Sequence, residues 1–233
     1  MEGGVMNRQG PGKIGWTDYT LNIVTGCEYN CDYGPDGCYA NKLSQFLYPE
    51  KFKPTFRPNA LKDKDLGRVQ AGSKIFLSNM GDAFGDWVPS EWIVAQIKLA
   101  EKYPQYIFQF LTKNPRRYEG FSFPSNCWLG ATWDSLQRTR GNIDALCTLE
   151  NDCIKYVSFE PLLGHGPNNL PVDSLDWIII GELTGKVHTT DEKREILGWA
   201  QDLLHQAQDL KIPVFFKNWL GTMFPQREFP KVR

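Results

Sequence analysis

The 233-residue chain contains no apolar run near the roughly 18 residues that a helical membrane span requires, so no such span is expected. Its net charge is only −1, which leaves no global basic field of the kind that attracts nucleic acid in bulk. Histidine is scarce. His165, His188 and His205 are the only three, and none has the paired spacing of a zinc site. Residues Met1 to Gly15 are Gly-rich and polar and lack the apolar core of a secretory signal, so the expected location is cytoplasmic. In that compartment clustered cysteines point to metal binding or catalysis rather than to disulfides.

What remains is an ordinary globular composition, 41% hydrophobic and 23% charged, in a chain long enough for one substantial core. No internal repeat or linker divides it, and we read residues 1–233 as a single domain. A Lys-, Pro- and Asp-rich surface connection occupies about 48–72, with a short helix expected at Asn59 to Leu66. Its basic residues, Lys51, Lys53, Arg57, Lys62 and Lys64, read as a solvated face.

The first expected strand is Leu21 to Gly26. Six further apolar runs of strand length follow: Lys74 to Ser78, Tyr106 to Thr112, Cys127 to Thr132, Lys155 to Phe159, Trp177 to Ile180 and Val214 to Lys217. Helical patterns lie between several of them, at Ser90 to Lys102, Ser135 to Thr148 and Asp191 to Asp209. Alternating strands and helices imply parallel pairing with right-handed crossovers. The crossover from Leu162 to Asp176 is Gly-, Pro- and Asn-rich and carries no helical pattern. The fold class expected is α/β, a partial (open) TIM-like barrel of about six to seven parallel strands.

In such a barrel functional groups collect at the C-terminal ends of the strands. Those ends carry Cys27 with its loop, Ser78-Asn-Met-Gly-Asp82, Thr112-Lys113, Thr132-Trp-Asp134, Glu160, Glu182 and Lys217. Cys27, Cys31 and Cys38 fall within one loop, between the first strand and a helix expected from Tyr39 to Leu47. Packing needs no such cluster, whereas metal chemistry needs thiolates that converge. Three readings stay open: a zinc site completed from elsewhere, a disulfide with a spare thiol, and an iron–sulfur cluster with one iron left for a cofactor or substrate. Cys127 and Cys147 read as core residues. Cys153 lies apart from the cluster.

The run Cys-Glu-Tyr-Asn-Cys-Asp-Tyr followed by Cys-Tyr-Ala resembles the cluster motif of the radical S-adenosylmethionine (SAM) superfamily. Cys27-x3-Cys31 matches, Tyr33 matches the motif's aromatic residue, and Cys38 departs by the insertion Gly34-Pro-Asp-Gly37, whose residues are turn formers. Further segments, among them Ser78-Asn-Met-Gly-Asp-Ala-Phe-Gly-Asp-Trp-Val-Pro89, Ser158-Phe-Glu-Pro-Leu162 and Phe215-Phe-Lys-Asn-Trp219, resemble an uncharacterised phage- and prophage-associated family near that superfamily, with spore photoproduct lyase a distant relative. Relatives there often carry Gly-Gly-Glu-Ser-Gly where this chain has Gly181-Glu-Leu-Thr-Gly185.

The resemblance implies a radical SAM enzyme with a [4Fe-4S] cluster on Cys27, Cys31 and Cys38. It implies SAM as cofactor and partner, and an external electron donor. Asp82 is the expected partner of the SAM amino group, helped by Ser78, and Lys113 that of its carboxylate. Glu160 and Glu182 are expected on the ribose hydroxyls or the substrate. Trp133, Trp87 and Phe84 are expected either to wall the pocket or to join the core. The substrate is not named by these residues. A nucleic acid or nucleotide is one expectation, with Arg116-Arg117 and Lys113 as a small basic patch. The other function class is a non-catalytic iron–sulfur or zinc module that binds a phage or host partner.

Overall fold

The computed structural model describes residues 6–10, 12–33, 37–62, 66–171 and 173–231. Its main sheet has eight strands in the order β1 (Asn7–Arg8), β2 (Tyr19–Leu21), β5 (Lys74–Leu77), β6 (Ile107–Thr112), β7 (Cys127–Thr132), β8 (Ile154–Phe159), β9 (Trp177–Ile180) and β10 (Val214–Phe216). From β2 to β10 every pairing is parallel, and only the edge strand β1 runs antiparallel. The result is a partial, open α/β barrel with seven parallel strands.

Residues alternate between two apolar layers along these strands, as a pleated strand covered on both faces requires. One layer, including Ile75, Phe108, Leu129, Val157, Ile178 and Val214, packs with Ile93 and Ile97 of helix α2 (Ser90–Lys102) and Ile196 and Leu203 of helix α4 (Thr190–Asp209). The other holds Phe76, Trp128, Tyr156, Trp177, Ile179 and Phe215 around Trp16. Trp16 stands 4.7 Å from Phe76 and 6.2 Å from Trp177, ring centre to ring centre. It is supplied by the connection between β1 and β2, and it forms an aromatic floor with the strands' inward residues.

Helix starts follow their local chemistry. In α4 the Thr189 hydroxyl accepts the Glu192 N–H at 3.3 Å, and the Glu192 carboxylate accepts the Thr189 N–H at 2.8 Å, a complete capping box. Helix α2 carries Glu91 in its first turn and Lys102 in its last, each opposing the nearer end of the helix dipole. Helix α1 (Tyr39–Leu47) begins directly after Cys38.

Three sequence expectations change. The strand expected over Leu21 to Gly26 divides: β2 ends at Leu21, and β3 (Val24–Thr25) pairs antiparallel with β4 (Thr55–Phe56) in a second, two-stranded sheet. Side chains take over from the ladder at the break, where Asn22 Oδ1 accepts Met80 N–H and Ser78 Oγ accepts Val24 N–H. The helix expected over Ser135 to Thr148 is a single 3-10 turn, Gln137–Thr139, followed by α3 (Asn142–Cys147). Gly141, with φ +87°, separates the two. The short helix expected at Asn59 to Leu66 is two 3-10 turns, Pro58–Leu61 and Leu66–Arg68; residues 63–65, Lys64 included, lie outside the described residues. A last short helix, α5 (Leu220–Met223), was not anticipated. No helix among the described residues is long and apolar enough to cross a membrane.

Candidate functional site at the barrel rim

A cavity of about 310 Å³ opens at the C-terminal ends of the parallel strands, above the aromatic floor. Cys27, Cys31 and Cys38 all line it, half-buried and free of disulfides. Asp82, Lys113, Glu160, Glu182 and Lys217 line the same cavity.

The cysteine loop is seated by close backbone approach. Gly26 takes φ +83°, and a Cβ there would stand 2.2 Å from Lys53 O; a Cβ on Gly81 would stand 2.6 Å from Gly26 O. These two glycines let the loop leave β3 tightly against the end of β5. Two tyrosines tie the loop to other strand ends. The Tyr33 hydroxyl donates to Asp134 Oδ2 at 2.8 Å, and the Tyr39 hydroxyl donates to Asn79 O at 2.8 Å. Gly34, Pro35 and Asp36 of the insertion before Cys38 lie outside the described residues.

Asp134 gathers donors. Besides Tyr33 it accepts from Arg138 at 2.8 Å, from Thr139 Oγ1 at 2.7 Å and from Leu136 N–H at 3.2 Å. Burial works to raise its carboxyl, but Lys113, the Thr139 and Tyr33 hydroxyls and Arg138 outweigh that and hold it below the usual carboxylate range. Asp82 goes the other way. Burial raises its carboxyl even though it accepts from Thr112 Oγ1 at 2.7 Å, Lys113 N–H at 2.8 Å and Phe84 N–H at 3.0 Å. Its oxygens join the ends of β5 and β6. Burial, and after it the Asp82 carboxylate, push the Cys27 thiol up to about 12. A bound metal cation reverses that balance, because a coordinating thiol is deprotonated outright.

Among the described residues, no three His, Cys, Asp or Glu side chains stand close enough together to hold a metal ion. The donor set still fits a three-ligand iron–sulfur cluster in its chemistry. Three free thiols from one loop face one cavity, and no histidine or fourth cysteine lines it.

Residues 11–230 match a family described as a protein of unknown function (DUF5131). The chain belongs to that family. No curated protein matches this DUF5131 chain. Among solved structures, a doubly substituted spore photoproduct lyase with bound AdoMet and dinucleoside spore photoproduct aligns with a TM-score of 0.55 at 12% identity, over 84% of this chain and 64% of that one. A second, spore photoproduct lyase complexed with dinucleoside spore photoproduct, gives 0.54 at 10% identity, over 97% of this chain and 65% of that one. The DUF5131 chain thus spans just under two thirds of the lyase length. At that identity the likeness is one of fold, the partial open barrel.

The expected site residues do not all reach the cavity. Ser78 does not line it: its hydroxyl is shared between Val24 N–H and Gln96 Oε1, 3.0 Å from each, as a strand-end cap. Trp133, Trp87 and Phe84 are packing residues, set against Phe159, Tyr29 and the Phe110–Tyr118–Phe123 group. Trp16, Phe76, Phe52, Tyr29, Tyr33 and Tyr39 line the cavity instead. Of the Arg116-Arg117 pair, Arg117 donates to the carbonyls of Gly85 and Val88 and Arg116 is exposed, and neither lines the cavity. Arg57, placed on a solvated face by its sequence, is instead paired with Glu50 and stacked 4.0 Å over Tyr48.

Sequence reasoning set Thr132 and Asp134 on the polar rim without a role, and it missed Trp16 and Ser158 in the cavity wall and the pairing of Asp134 with Arg138. For Asp134 a signal existed in its place at a strand end. For Trp16 there was none, because an isolated aromatic ahead of the first strand reads as packing.

Proposed function

We propose that this protein is a radical SAM-type iron–sulfur enzyme. The observation that carries the reading is the convergence of three free cysteines of one loop on a single cavity at the functional end of a partial α/β barrel. Cys27, Cys31 and Cys38 would hold a [4Fe-4S] cluster and leave one iron for SAM. When bound, that pair supplies reductive cleavage of the sulfonium bond to a 5′-deoxyadenosyl radical, given an external electron donor.

The chain's own residues would bind and orient. Lys113, which lines the cavity and whose ammonium has no hydrogen-bond or ion-pair partner among the described residues, would meet the SAM carboxylate. Asp82 would meet the ammonium with the acceptor capacity that its three internal donors leave it. Glu160, paired with Lys217, and Glu182, whose Oε1 accepts Trp219 N–H, would meet the ribose or the substrate. The aromatic floor excludes water from the interior end of the cavity. The phage association and the cytoplasmic location rest on the resemblance and on composition.

Anaerobic reconstitution tests this. Iron and sulfide should be taken up in near-equal amounts, SAM should perturb the cluster's spectrum, and a reductant should release 5′-deoxyadenosine. Uptake of zinc alone, with no response to SAM, sinks the enzymatic reading in favour of a metal-bearing binding module.

The Tyr33 tether gives a finer prediction. Tyr33→Phe removes one half-buried hydrogen bond to a carboxylate, an effect of about 1–3 kcal/mol on the seating of the loop. Reconstituted iron should fall by half or more while the melting temperature stays within a few degrees. Iodoacetamide should alkylate Cys31 of the metal-free variant several-fold faster, read by peptide mass spectrometry. Unchanged alkylation and loading would mean that the tether does not seat the loop.

A further inference from the structure

Helix α1 presents its large apolar residues to the outside. The residues it packs against the protein are small, Ala40 and Ser44, both buried. Tyr39 is 39% exposed, Leu43 48%, Phe46 89% and Leu47 59%. Their spacing, i, i+4, i+7 and i+8, sets them on one stripe, the pattern that normally marks a core face. Four of the seven large apolar side chains exposed among the described residues stand on this one helix, so the exposure is a patch rather than scatter.

The charge beside the stripe is of one sign. Between Tyr39 and Lys62 the chain carries five cations and one anion, although its net charge is −1. The anion, Glu50, is paired with Arg57. Lys42, Lys51, Lys53 and Lys62 are exposed and in no ion pair among the described residues. An apolar strip edged by lysines is complementary to an acidic protein surface with an apolar centre. A second copy docking symmetrically would bring lysines against lysines. Two of the four apolar side chains are leucines, which offer a nucleobase no stacking face, so protein is favoured over nucleic acid.

This surface adjoins the cysteine loop. Cys38 is the N-cap of α1. Phe52, between Lys51 and Lys53, accepts the Cys27 N–H at 3.2 Å through its carbonyl. The stripe itself begins at Tyr39, which lines the cavity. A nine-residue helix is about 14 Å long and 10 Å wide, far short of the roughly 800 Å² that a stable interface covers on each side. Its partner is therefore transient and steered by charge, the habit of electron-transfer encounters. A substrate has to enter the cavity, whereas an electron donor needs only to stand beside the loop.

We infer that the exposed face of α1, with Lys42, Lys51 and Lys53 beside it, is the docking surface of an acidic electron-carrier protein. The carrier's reduced centre loses one electron and the cluster gains it; no bond forms or breaks. This rests on the reading of the three cysteines as a cluster site, but docking can be measured apart from SAM chemistry.

The test titrates the reconstituted protein into dye-labelled flavodoxin and, separately, a plant-type ferredoxin, both acidic. A basic cytochrome c serves as the charge-reversed control. At least one acidic carrier should bind, the cytochrome about tenfold more weakly, and about 0.3 M salt should weaken the complex several-fold. Phe46→Asp, and separately the triple variant Lys42→Glu, Lys51→Glu, Lys53→Glu, should each weaken it about tenfold with unchanged circular dichroism, since all four side chains are exposed. 5′-Deoxyadenosine formation driven by the reduced carrier should fall by the same factor. With dithionite, a small reductant that needs no docking, it should be unchanged; a merely structural α1 would lower both.

The inference is overturned if neither acidic carrier binds, or if both variants bind as the parent does. It is equally overturned if an oligothymidylate or phosphatidylglycerol vesicles bind more tightly than either carrier and lose that binding in Phe46→Asp, because the face then belongs to nucleic acid or lipid. SAM cleavage with dithionite and no carrier binding would discard this inference and keep the radical reading. Uptake of zinc alone, seen before any carrier is added, is instead the failure of the radical reading and removes the inference with it.

Discussion

Cys38→Ala is expected to abolish iron–sulfur assembly. Anaerobic reconstitution of the variant should give iron and sulfide near background, and no 5′-deoxyadenosine should form in the presence of SAM and a reductant. Two thiols cannot hold three irons of a cubane against water, and the cavity lining offers no histidine or further cysteine to replace the third. The loss should be all-or-none, at least a hundredfold in 5′-deoxyadenosine formation. Cys38 is the half-buried N-cap of α1 and its side chain makes no capping hydrogen bond, so alanine removes none and circular dichroism should be unchanged. Cys38 is also the ligand that follows the insertion, which makes its variant more informative than those of Cys27 or Cys31. A normal cluster in Cys38→Ala would mean that the insertion carries this cysteine elsewhere and that the ligand set is wrong.

The second large effect is one of stability. Lys217 and Glu160 form an ion pair at the ends of β10 and β8, with side chains only 9% and 18% exposed. Lys217→Met should destabilise the metal-free protein by about 3 kcal/mol, because removing one partner leaves the other's charge buried and uncompensated. Glu160→Gln added to that variant should restore most of the loss, since two neutral groups no longer oppose each other's burial. Urea unfolding of the parent, each single variant and the double variant closes the cycle. If Lys217→Met unfolds at the parent's midpoint, solvent in the cavity screens the pair and its role is in binding rather than in folding.

Much of the barrel is visible in the sequence because parallel strands covered on both faces must be apolar throughout. Cys127–Thr132 and Trp177–Ile180 show this, buried at every position and bounded as the apolar runs suggest. Ser90–Lys102 is equally legible, since its core face, its acidic first turn and the proline beyond it agree. The break between β2 and β3 is hidden for the opposite reason. Leu21 to Val24 reads as one apolar run, and only the long-range bonds from Asn22 and Ser78 end the strand inside it. Likewise the sequence pointed to Glu160, Glu182 and Lys113 through their place at strand ends, and the structure puts all three in one cavity wall. It could not indicate that Ser78 turns away toward Gln96, or that Asp134 collects Tyr33 from a loop far away in the chain. Those partnerships are set by the fold, not by neighbours in sequence.

The aromatic floor also bears on the order in which the molecule assembles. Trp16 belongs to the connection between β1 and β2, yet it nests against Trp177 of β9, and a Cβ on its neighbour Gly15 would stand 3.3 Å from the Phe215 ring of β10. These contacts join opposite edges of the sheet and pair residues distant in sequence, so the chain entropy of closing them falls due only after the intervening strands are in place. The pocket is therefore among the last parts of the barrel to form, and any cofactor it receives has to arrive at a nearly finished protein.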